Sequence, residues 1–176
     1  MKKYELTTET LQFAGRTLHR IKAVKDFDSI KAGEFGGWIE NEKNLSQDDN
    51  AWIYGNAMVF DNAMVFDNAE VYGYAKVYGN ANVSDYAEVY GNAAIKGDAK
   101  VHDAVDYIVF KNFWSSGRYF TWTSSNNKWS VGCFYGTGEE LIKKAYADSE
   151  KSGREYERVV RYVESILADE KKEKSN

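Results

Sequence analysis

The stretch NAMVFDNAMVFDNA, residues 56–69, contains one six-residue unit, Ala-Met-Val-Phe-Asp-Asn, twice in succession. The same period continues on both sides of it. Written in sixes from Ala51, the chain reads AWIYGN, AMVFDN, AMVFDN, AEVYGY, AKVYGN, ANVSDY, AEVYGN, AAIKGD and AKVHDA. Every hexad begins with Ala and has Val or Ile in third place. Residues 51–104 are therefore copies of one structural unit.

Each hexad predicts a short strand followed by a corner. Side chains alternate in an extended segment, so the first and third positions face one side and the second and fourth face the other. The fifth position is Gly or Asp and the sixth is mostly Asn, and these residue types tolerate tight turns and positive φ. A helix would instead need apolar spacing near ~3.6 residues. Three hexads together predict one triangular coil whose interior holds the Ala and Val side chains.

This pattern resembles the left-handed parallel β-helix of hexapeptide-repeat proteins. Their pattern is an aliphatic residue followed four positions later by a small one, as in Val59 and Ala63, or Val65 and Ala69. The predicted fold class is therefore mainly β: a left-handed parallel β-helix of 18-residue triangular coils, followed by a small α+β module.

Upstream of Ala51 the same repeat continues with less regular spacing. Ile39 and Leu45 are six residues apart, whereas Leu45 and Ile53 are eight apart, which predicts a two-residue insertion at a corner. The spacing of Val24 and Ile30 places the first coil near residue 20. The Gly36-Gly37-Trp38 segment is then expected to be a turn entering a coil.

The chain is predicted to divide into four parts. Residues 1–19 form an N-terminal cap, because an open end coil exposes unpaired backbone groups. Residues 20–104 form the β-helix, and residues 105–168 form the α+β module. The charged residues 169–176 are predicted to be a disordered tail.

The α+β module is predicted to contain three antiparallel strands and two helices. Aromatic and β-branched runs are separated by turn residues around 115–117 and 124–127. Thr137 and Glu140 have the spacing of a capping box, which predicts a helix to about Ser149. A second box at Ser152 opens a helix with one apolar stripe.

Composition excludes several function classes. The net charge of −4 and the isoelectric point near 5.3 disfavour direct nucleic-acid binding, which depends on Lys and Arg against phosphate. No apolar run is long enough to cross a membrane, and no apolar segment follows the N-terminal lysines. Cys133 is the single cysteine, so neither an intrachain disulfide nor a cysteine zinc site is predicted. We expect a cytoplasmic protein without cofactor or metal.

The chain also resembles uncharacterised proteins of bacteriophages and prophages. The similarity lies in MKKYELTTET and GGWIENEKNLS near the start, and in VFKNFWSSGRYFTWT and GCFYGTGEELIKKAY toward the end. Those proteins join a hexapeptide β-helix to a small α/β module. The resemblance implies a bacterial host cell as the setting and assigns no chemistry.

Catalysis has one weak candidate, His102. Hexapeptide-repeat acyltransferases use a His as general base and usually interrupt their coils with a loop for the acyl donor, whereas residues 51–104 run without interruption. A carbonic anhydrase on this scaffold would need three His ligands, and the chain has two His in total. Glu70 and Glu88 are predicted to stack in adjacent coils, where they could pair for acid–base catalysis or metal binding. Carboxylates that are simply exposed to solvent are the commoner explanation of such a pair.

The outward positions of the coils predict a contact surface. Aromatic and Met side chains are enriched at interface centres, and an exposed apolar patch usually marks an interface. The predicted partner-binding residues are Trp52, Tyr54, Met58, Phe60, Met64, Phe66, Tyr72 and Tyr90. The chain itself, a second copy or a foreign protein could cover them. We expect a homo-oligomer, with a dimer preferred over a trimer.

Two functional hypotheses follow. The first is a non-enzymatic phage-type module that binds a bacterial host protein, for example an inhibitor of a defence nuclease such as a CRISPR effector. The alternative is a divergent hexapeptide-repeat acyltransferase that uses His102.

Overall fold

A computed structural model of the chain describes residues 2–114 and 117–173. The chain forms two compact units, residues 1–132 and 133–176. The first unit is a parallel β-solenoid with an N-terminal hairpin and a small antiparallel sheet. The second unit contains a short strand and two helices. The predicted mainly β fold class is confirmed.

The chain begins with an antiparallel hairpin of β1 (Tyr4–Phe13) and β2 (Arg16–Ala23), and β2 also pairs antiparallel with β3 (Phe35–Ile39). Parallel pairing begins only between β3 and the solenoid. The expected first coil near residue 20 is therefore wrong, because residues 24–34 connect the hairpin to β3 instead of completing a coil.

The predicted turn at Gly36 and Gly37 is also wrong, because both lie inside β3. A Cβ on Gly37 would lie 2.5 Å from Ile53 Cγ2 and 2.6 Å from the Ala57 carbonyl oxygen. The glycines are there because neighbouring backbone and side chains approach β3 too closely for any side chain.

Nine short strands carry the solenoid, one in each hexad. They are β4 (Trp52–Ile53), β5 (Met58–Val59), β6 (Met64–Val65), β7 (Glu70–Val71), β8 (Lys76–Val77), β9 (Asn82–Val83), β10 (Glu88–Val89), β11 (Ala94–Ile95) and β12 (Lys100–Val101). Together with β3 they stack in three parallel ladders, β3-β5-β8-β11, β4-β7-β10 and β6-β9-β12, so the solenoid has about four coils. Ile53 pairs with Val71, and Val71 with Val89, at the predicted step of three hexads.

The irregular first coil has the predicted insertion. Ile39 pairs with Val59 and Leu45 with Val65, so each pair spans three hexads and the insertion. A short 3-10 helix, Glu42–Asn44, lies between the two pairs.

The interior and the corners of the solenoid match the predictions made for each position of the hexad. All Ala at first positions and all Val or Ile at third positions, from Ala51 to Val101, are at most 1% exposed. The fifth position adopts positive φ at each corner between residues 55 and 97, whether it is Gly or Asp. The corners therefore need residues that tolerate the left-handed region, as predicted.

Both ends of the solenoid are closed by side chains. At the first coil, the buried ammonium of Lys3 donates to the carbonyl oxygens of Asp48, Asp49 and Ala51, at 3.1, 3.3 and 2.8 Å. These bonds satisfy carbonyl groups that no preceding coil can pair.

The last coil is closed by three antiparallel strands, β13 (Tyr107–Lys111), β14 (Tyr119–Thr123) and β15 (Lys128–Val131). The backbone N–H of Ala94 donates to Thr121 Oγ1 at 3.0 Å, and that of Lys100 donates to Ser125 Oγ at 2.8 Å. These strands belong to the same compact unit as the solenoid, whereas the sequence grouped them with the helices. Of the turn predicted at 115–117, residues 115 and 116 lie outside the described residues.

The second unit contains β16 (Phe134–Gly136), α1 (Gly138–Asp148) and α2 (Glu150–Glu173). The predicted capping box is present, since Thr137 Oγ1 accepts from the Glu140 N–H and the Glu140 carboxylate accepts from the Thr137 N–H. The predicted cap at Ser152 is wrong, because Ser149 Oγ accepts from the Ser152 N–H and α2 starts at Glu150.

Helix α2 also continues into the predicted disordered tail, through residues 169–173. Glu and Lys are good helix formers, and Lys172 pairs with Asp169 one turn away. Residues 174–176 lie outside the described residues. In the part of the chain that the structure describes, no helix combines the length and apolar character needed to cross a membrane.

Candidate functional site

The solenoid has three outer faces, each built on one parallel ladder. The hairpin face is the outer surface of β3, β5, β8 and β11. The tyrosine face is the outer surface of β4, β7 and β10, with the corner residues Tyr74 and Tyr86 at its two sides. The histidine face is the outer surface of β6, β9 and β12.

The hairpin face is covered by the hairpin of β1 and β2. Leu18 of β2 forms a buried cluster with Trp38 and Phe60, and Met58 packs against this cluster. Phe60 is 3% exposed. The prediction that Phe60 binds a partner is therefore corrected, because the first strands of the same chain bury its side chain. Met58 is half-buried and stays a predicted contact residue.

Trp52 is covered as well, although it lies on the ladder of the tyrosine face. Its side chain is 1% exposed. The ring of Tyr4 lies 6.2 Å away in edge geometry, and the ring of Phe27 lies 5.3 Å away. Trp52 is a core residue, so it too leaves the predicted partner-binding set.

On the rest of the tyrosine face, aromatic side chains of successive coils lie one above another in a row, the aromatic rank. The ring centroids of Tyr54 and Tyr72 lie 6.3 Å apart in edge geometry, and those of Tyr72 and Tyr90 lie 5.4 Å apart and stacked. Tyr107 continues the rank at 6.3 Å from Tyr90. Exposure rises from Tyr54 and Tyr72, which are half-buried, to Tyr90, which is 49% exposed, and falls to 8% at Tyr107.

A rank of carboxylates runs beside the rings. The hydroxyl of Tyr54 donates to Glu70 at 2.8 Å, and the hydroxyl of Tyr72 donates to Glu88 at 2.7 Å. Burial, then the bond to the neighbouring carboxylate, raises the pKa of both tyrosines. The bonds fix the rings and the carboxylates relative to one another, so the face presents a rigid aromatic and acidic pattern.

The corners beside this face hold exposed aromatic residues that sequence reasoning missed. Tyr86 is 80% exposed and Tyr74 is 60% exposed. Both occupy the sixth position of a hexad, where the sequence otherwise has mostly Asn. Tyr in place of Asn at this position was the feature of the sequence that could have identified them.

Tyr86 lines a surface cavity of about 460 Å³ at one side of the tyrosine face. The other lining residues are Asp28, Asn50, Asn68, Glu70 and Glu88. Asn50 and Asn68 stack one coil apart and are joined by a side-chain hydrogen bond of 3.0 Å. The cavity therefore has three carboxylates, two amides and one aromatic ring.

The histidine face keeps two of the predicted contact residues accessible. Met64 is 42% exposed and Phe66 is half-buried. One coil further on, Ser84 lies in the same rank as Phe66 and is 2% exposed.

His102 follows in that rank with a defined orientation. Its Nδ1 lies 2.9 Å from Asp85 Oδ2 and 2.8 Å from Ser84 Oγ. A carboxylate can only accept, so Nδ1 carries the proton and Nε2 is the acceptor in the neutral ring. The side chains of His102 and Asp85 are 52% and 60% exposed, which places the pair on open surface. Across residues 2–114 and 117–173, no group of three or more His, Cys, Asp or Glu could hold a metal ion.

No protein family model matches this chain. Over 62 residues, which are 31% of the chain, it is 39% identical to a protein of Escherichia coli (strain K12) named uncharacterized acetyltransferase YdcK. The similarity covers 19% of that protein, so the chain spans about a fifth of the length of the curated relative it matches. This partial similarity is consistent with a hexapeptide-repeat solenoid.

Proposed function

We propose that this protein is a non-enzymatic binding module that contacts a partner protein through the tyrosine face. The observation that carries the proposal is the rank of Tyr72 and Tyr90 with Tyr86 beside it. Tyr is enriched at the centres of protein interfaces because its ring buries a large area while its hydroxyl finds a polar partner.

The scaffold also suits binding. Parallel pairing at every coil and the bonds from Tyr54 to Glu70 and from Tyr72 to Glu88 hold the side chains in place. Binding then orders few groups, which reduces the entropy lost on association. This rigidity supports a surface that recognises one partner geometry.

The more specific form of this proposal is a phage-type inhibitor of a bacterial defence nuclease in the host cytoplasm. Its support is the acidic character of the face, since nucleic-acid-binding grooves are basic. The phage-type resemblance of the sequence motivates the choice of host.

The test is affinity capture from a bacterial lysate with the full chain, Tyr90→Ala and a control. Tyr162→Ala serves as the control because Tyr162 lies on α2 and is 55% exposed, close to the exposure of Tyr90. A stoichiometric partner retained by the wild type and by Tyr162→Ala, and weakened at least ~30-fold by Tyr90→Ala, is expected for a hot-spot residue. Equal retention by all three proteins would reject the tyrosine face as the binding site.

A second candidate function, acyl transfer, is favoured by the geometry of His102 and by the partial similarity to a known protein. Asp85 orients His102 with Nε2 free to accept a proton, the arrangement required of a general base. The relative with partial similarity carries acetyltransferase in its name. Acetyl transfer from acetyl-coenzyme A to a panel of hydroxyl and amine acceptors tests this candidate. Transfer that His102→Ala abolishes and Asp85→Asn reduces would replace the binding-module proposal.

A further inference from the structure

The hairpin face shows which groups bind to an aromatic and acidic surface of this solenoid. On the hairpin face, the rings of Phe60 and Tyr78 stack at 4.8 Å. The guanidinium of Arg16, at the start of β2, lies 5.5 Å above the Phe60 ring. The same guanidinium pairs with Asp61 and, at 3.5 Å, with Glu40.

Arg20 repeats this arrangement four residues later on β2. Its guanidinium lies 5.4 Å from the ring of Phe35 and 5.6 Å from that of Trp38, and it pairs with Glu9 at 3.3 Å. An extended segment with two arginines therefore stacks on rings of the hairpin face, and Arg16 adds ion pairs to Glu40 and Asp61, whereas the ion pair of Arg20 lies within the hairpin.

The tyrosine face offers the same combination of groups without the cation. The stacked pair of Tyr72 and Tyr90 has nearly the ring spacing of Phe60 and Tyr78, 5.4 against 4.8 Å. Within the described ranges, no Lys or Arg lies over either of these two rings.

The carboxylates of this face are also without a cation. Asp28, Glu70 and Glu88 make no ion pair with any residue that the structure describes. The segments that build the face, residues 50–55, 68–73 and 86–91, contain no Lys or Arg. The face is therefore complementary in charge to a basic partner.

We infer that the tyrosine face binds an extended, arginine-containing segment of a partner protein, with guanidinium groups stacked on Tyr72 and Tyr90 and paired with Glu70 and Glu88. The inference rests on the proposed function and names the chemistry of its partner. Arginine is favoured over lysine because its planar guanidinium stacks on a ring and pairs with a carboxylate at the same time. The cavity beside Tyr86 is lined by both Glu70 and Glu88, and its volume of about 460 Å³ accommodates a long side chain.

The experiment measures binding of fluorescent nine-residue peptides to the full chain by anisotropy. One peptide alternates Arg with Ser, the second replaces Arg by Lys, and the third replaces Arg by Glu. We expect the Arg peptide to bind at least ~5-fold more tightly than the Lys peptide, and the Glu peptide not to bind. Binding of the Arg peptide is expected to weaken with added salt.

Two double variants locate the site. Glu70→Gln with Glu88→Gln removes two charges but keeps an oxygen that accepts from each Tyr hydroxyl. Glu170→Gln with Glu173→Gln makes the same change of net charge at exposed positions of α2. We expect the first to weaken the Arg peptide at least ~10-fold, as loss of paired charges requires, and the second to change affinity less than ~2-fold. Circular dichroism melting confirms that both variants fold.

The outcomes separate this inference from the proposed function. Equal weakening by both double variants would mean that only net charge matters, which overturns the inference. Absence of peptide binding, with a captured protein partner still lost by Tyr90→Ala, would overturn the inference and leave the proposed function standing. Absence of both would reject the two together.

Discussion

At the scale of single residues, the corners show how one repeat position accommodates both Gly and Asp. Asp61, Asp67 and Asp85 adopt φ of 60°, 58° and 56°. The equivalent Gly79 and Gly91 have φ of 75° and 67°. The left-handed conformation is thus common to the corners, but the space around them differs. An added Cβ would lie 2.9 Å from the Gly97 backbone nitrogen at Gly79, and would meet nothing within 4 Å at Gly91.

This difference predicts unequal effects of one substitution. Gly91→Ala adds only the strain of a left-handed Ala, about 1 kcal/mol. Gly79→Ala adds that strain and a backbone clash with the next coil, so we expect a loss of about 2 to 4 kcal/mol. Urea unfolding of both variants measures the free energies. Equal losses would show that the coils can separate at this corner without penalty.

The pKa of Lys3 predicts how the free energy of unfolding changes with pH. Burial, partly offset by Asp49, lowers the pKa of Lys3 to about 8, against ~10.4 in an unfolded chain. Between these values the unfolded chain binds more protons, so stability rises with pH. We expect the free energy of unfolding to increase by about 1 to 2 kcal/mol from pH 7.5 to 9.5.

Lys3→Met is the control for that measurement, because it removes the titrating group and keeps the apolar stem. The variant should lack the increase. The range stops below pH 10 because burial raises the pKa of Tyr4, Tyr54 and Tyr72, and stability from those groups is lost as pH rises above their unfolded value. A variant with the same slope as the wild type would assign the increase to other groups.

At the scale of the strand, each element of the solenoid has two residues, one that points outward and one that points inward. In β9, Asn82 points outward and is half-buried, while Val83 and the preceding Ala81 point inward and are fully buried. The pairing of each strand with its neighbours one coil away repeats this along the solenoid. The narrow interior therefore accepts small and branched side chains only, and adjacent positions differ sharply in the volume they tolerate.

Adjacent substitutions to Leu test that difference. Ala81→Leu adds three carbons to a filled interior, and we expect a loss of about 1 to 3 kcal/mol or failure to fold. Asn82→Leu places the same side chain outside, where a change within about 0.5 kcal/mol is expected. Thermal melting and urea unfolding compare the two. Similar destabilisation by both would contradict the assignment of inward and outward positions.

At the scale of the whole molecule, the first unit closes most of the surfaces that a solenoid leaves open. Lys3 bonds the carbonyl groups of the first coil, and Thr121 and Ser125 bond the N–H groups of the last. Open strand edges otherwise recruit further strands from other chains. The hairpin covers one face, whereas Tyr90 on the tyrosine face and Met64 on the histidine face are 49% and 42% exposed.

We propose a homodimer, preferred over a trimer, with Met64 and Phe66 of the histidine face at the interface. Light scattering at micromolar concentration is expected to give twice the mass of the chain. Met64→Lys places a charge in the apolar contact and should yield a monomer, because burying an unpaired charge is costly. Thr8→Lys adds the same charge at an exposed position of β1, and this control should remain dimeric. A monomeric wild type would remove this proposal.

The features that repeat along the chain could be predicted from the residue pattern alone. The hexad spacing predicted the coil of three hexads, the inward Ala and Val, the corners with positive φ and the insertion between Leu45 and Ile53. The Thr137 capping box was predicted for the same reason. Each of these depends on residues within a few positions of one another, so local geometry was sufficient.

Only the tertiary structure decided which outward side chains remain accessible. Trp52 and Phe60 occupy the same kinds of position as Tyr90, but the first hairpin and the segment after it cover them from far along the chain. The start of the solenoid at β3 likewise depends on a distant segment, because β2 pairs with β3 in antiparallel orientation. Burial of an outward residue is a property of what packs against it, and the hexad pattern carries no information about that neighbour.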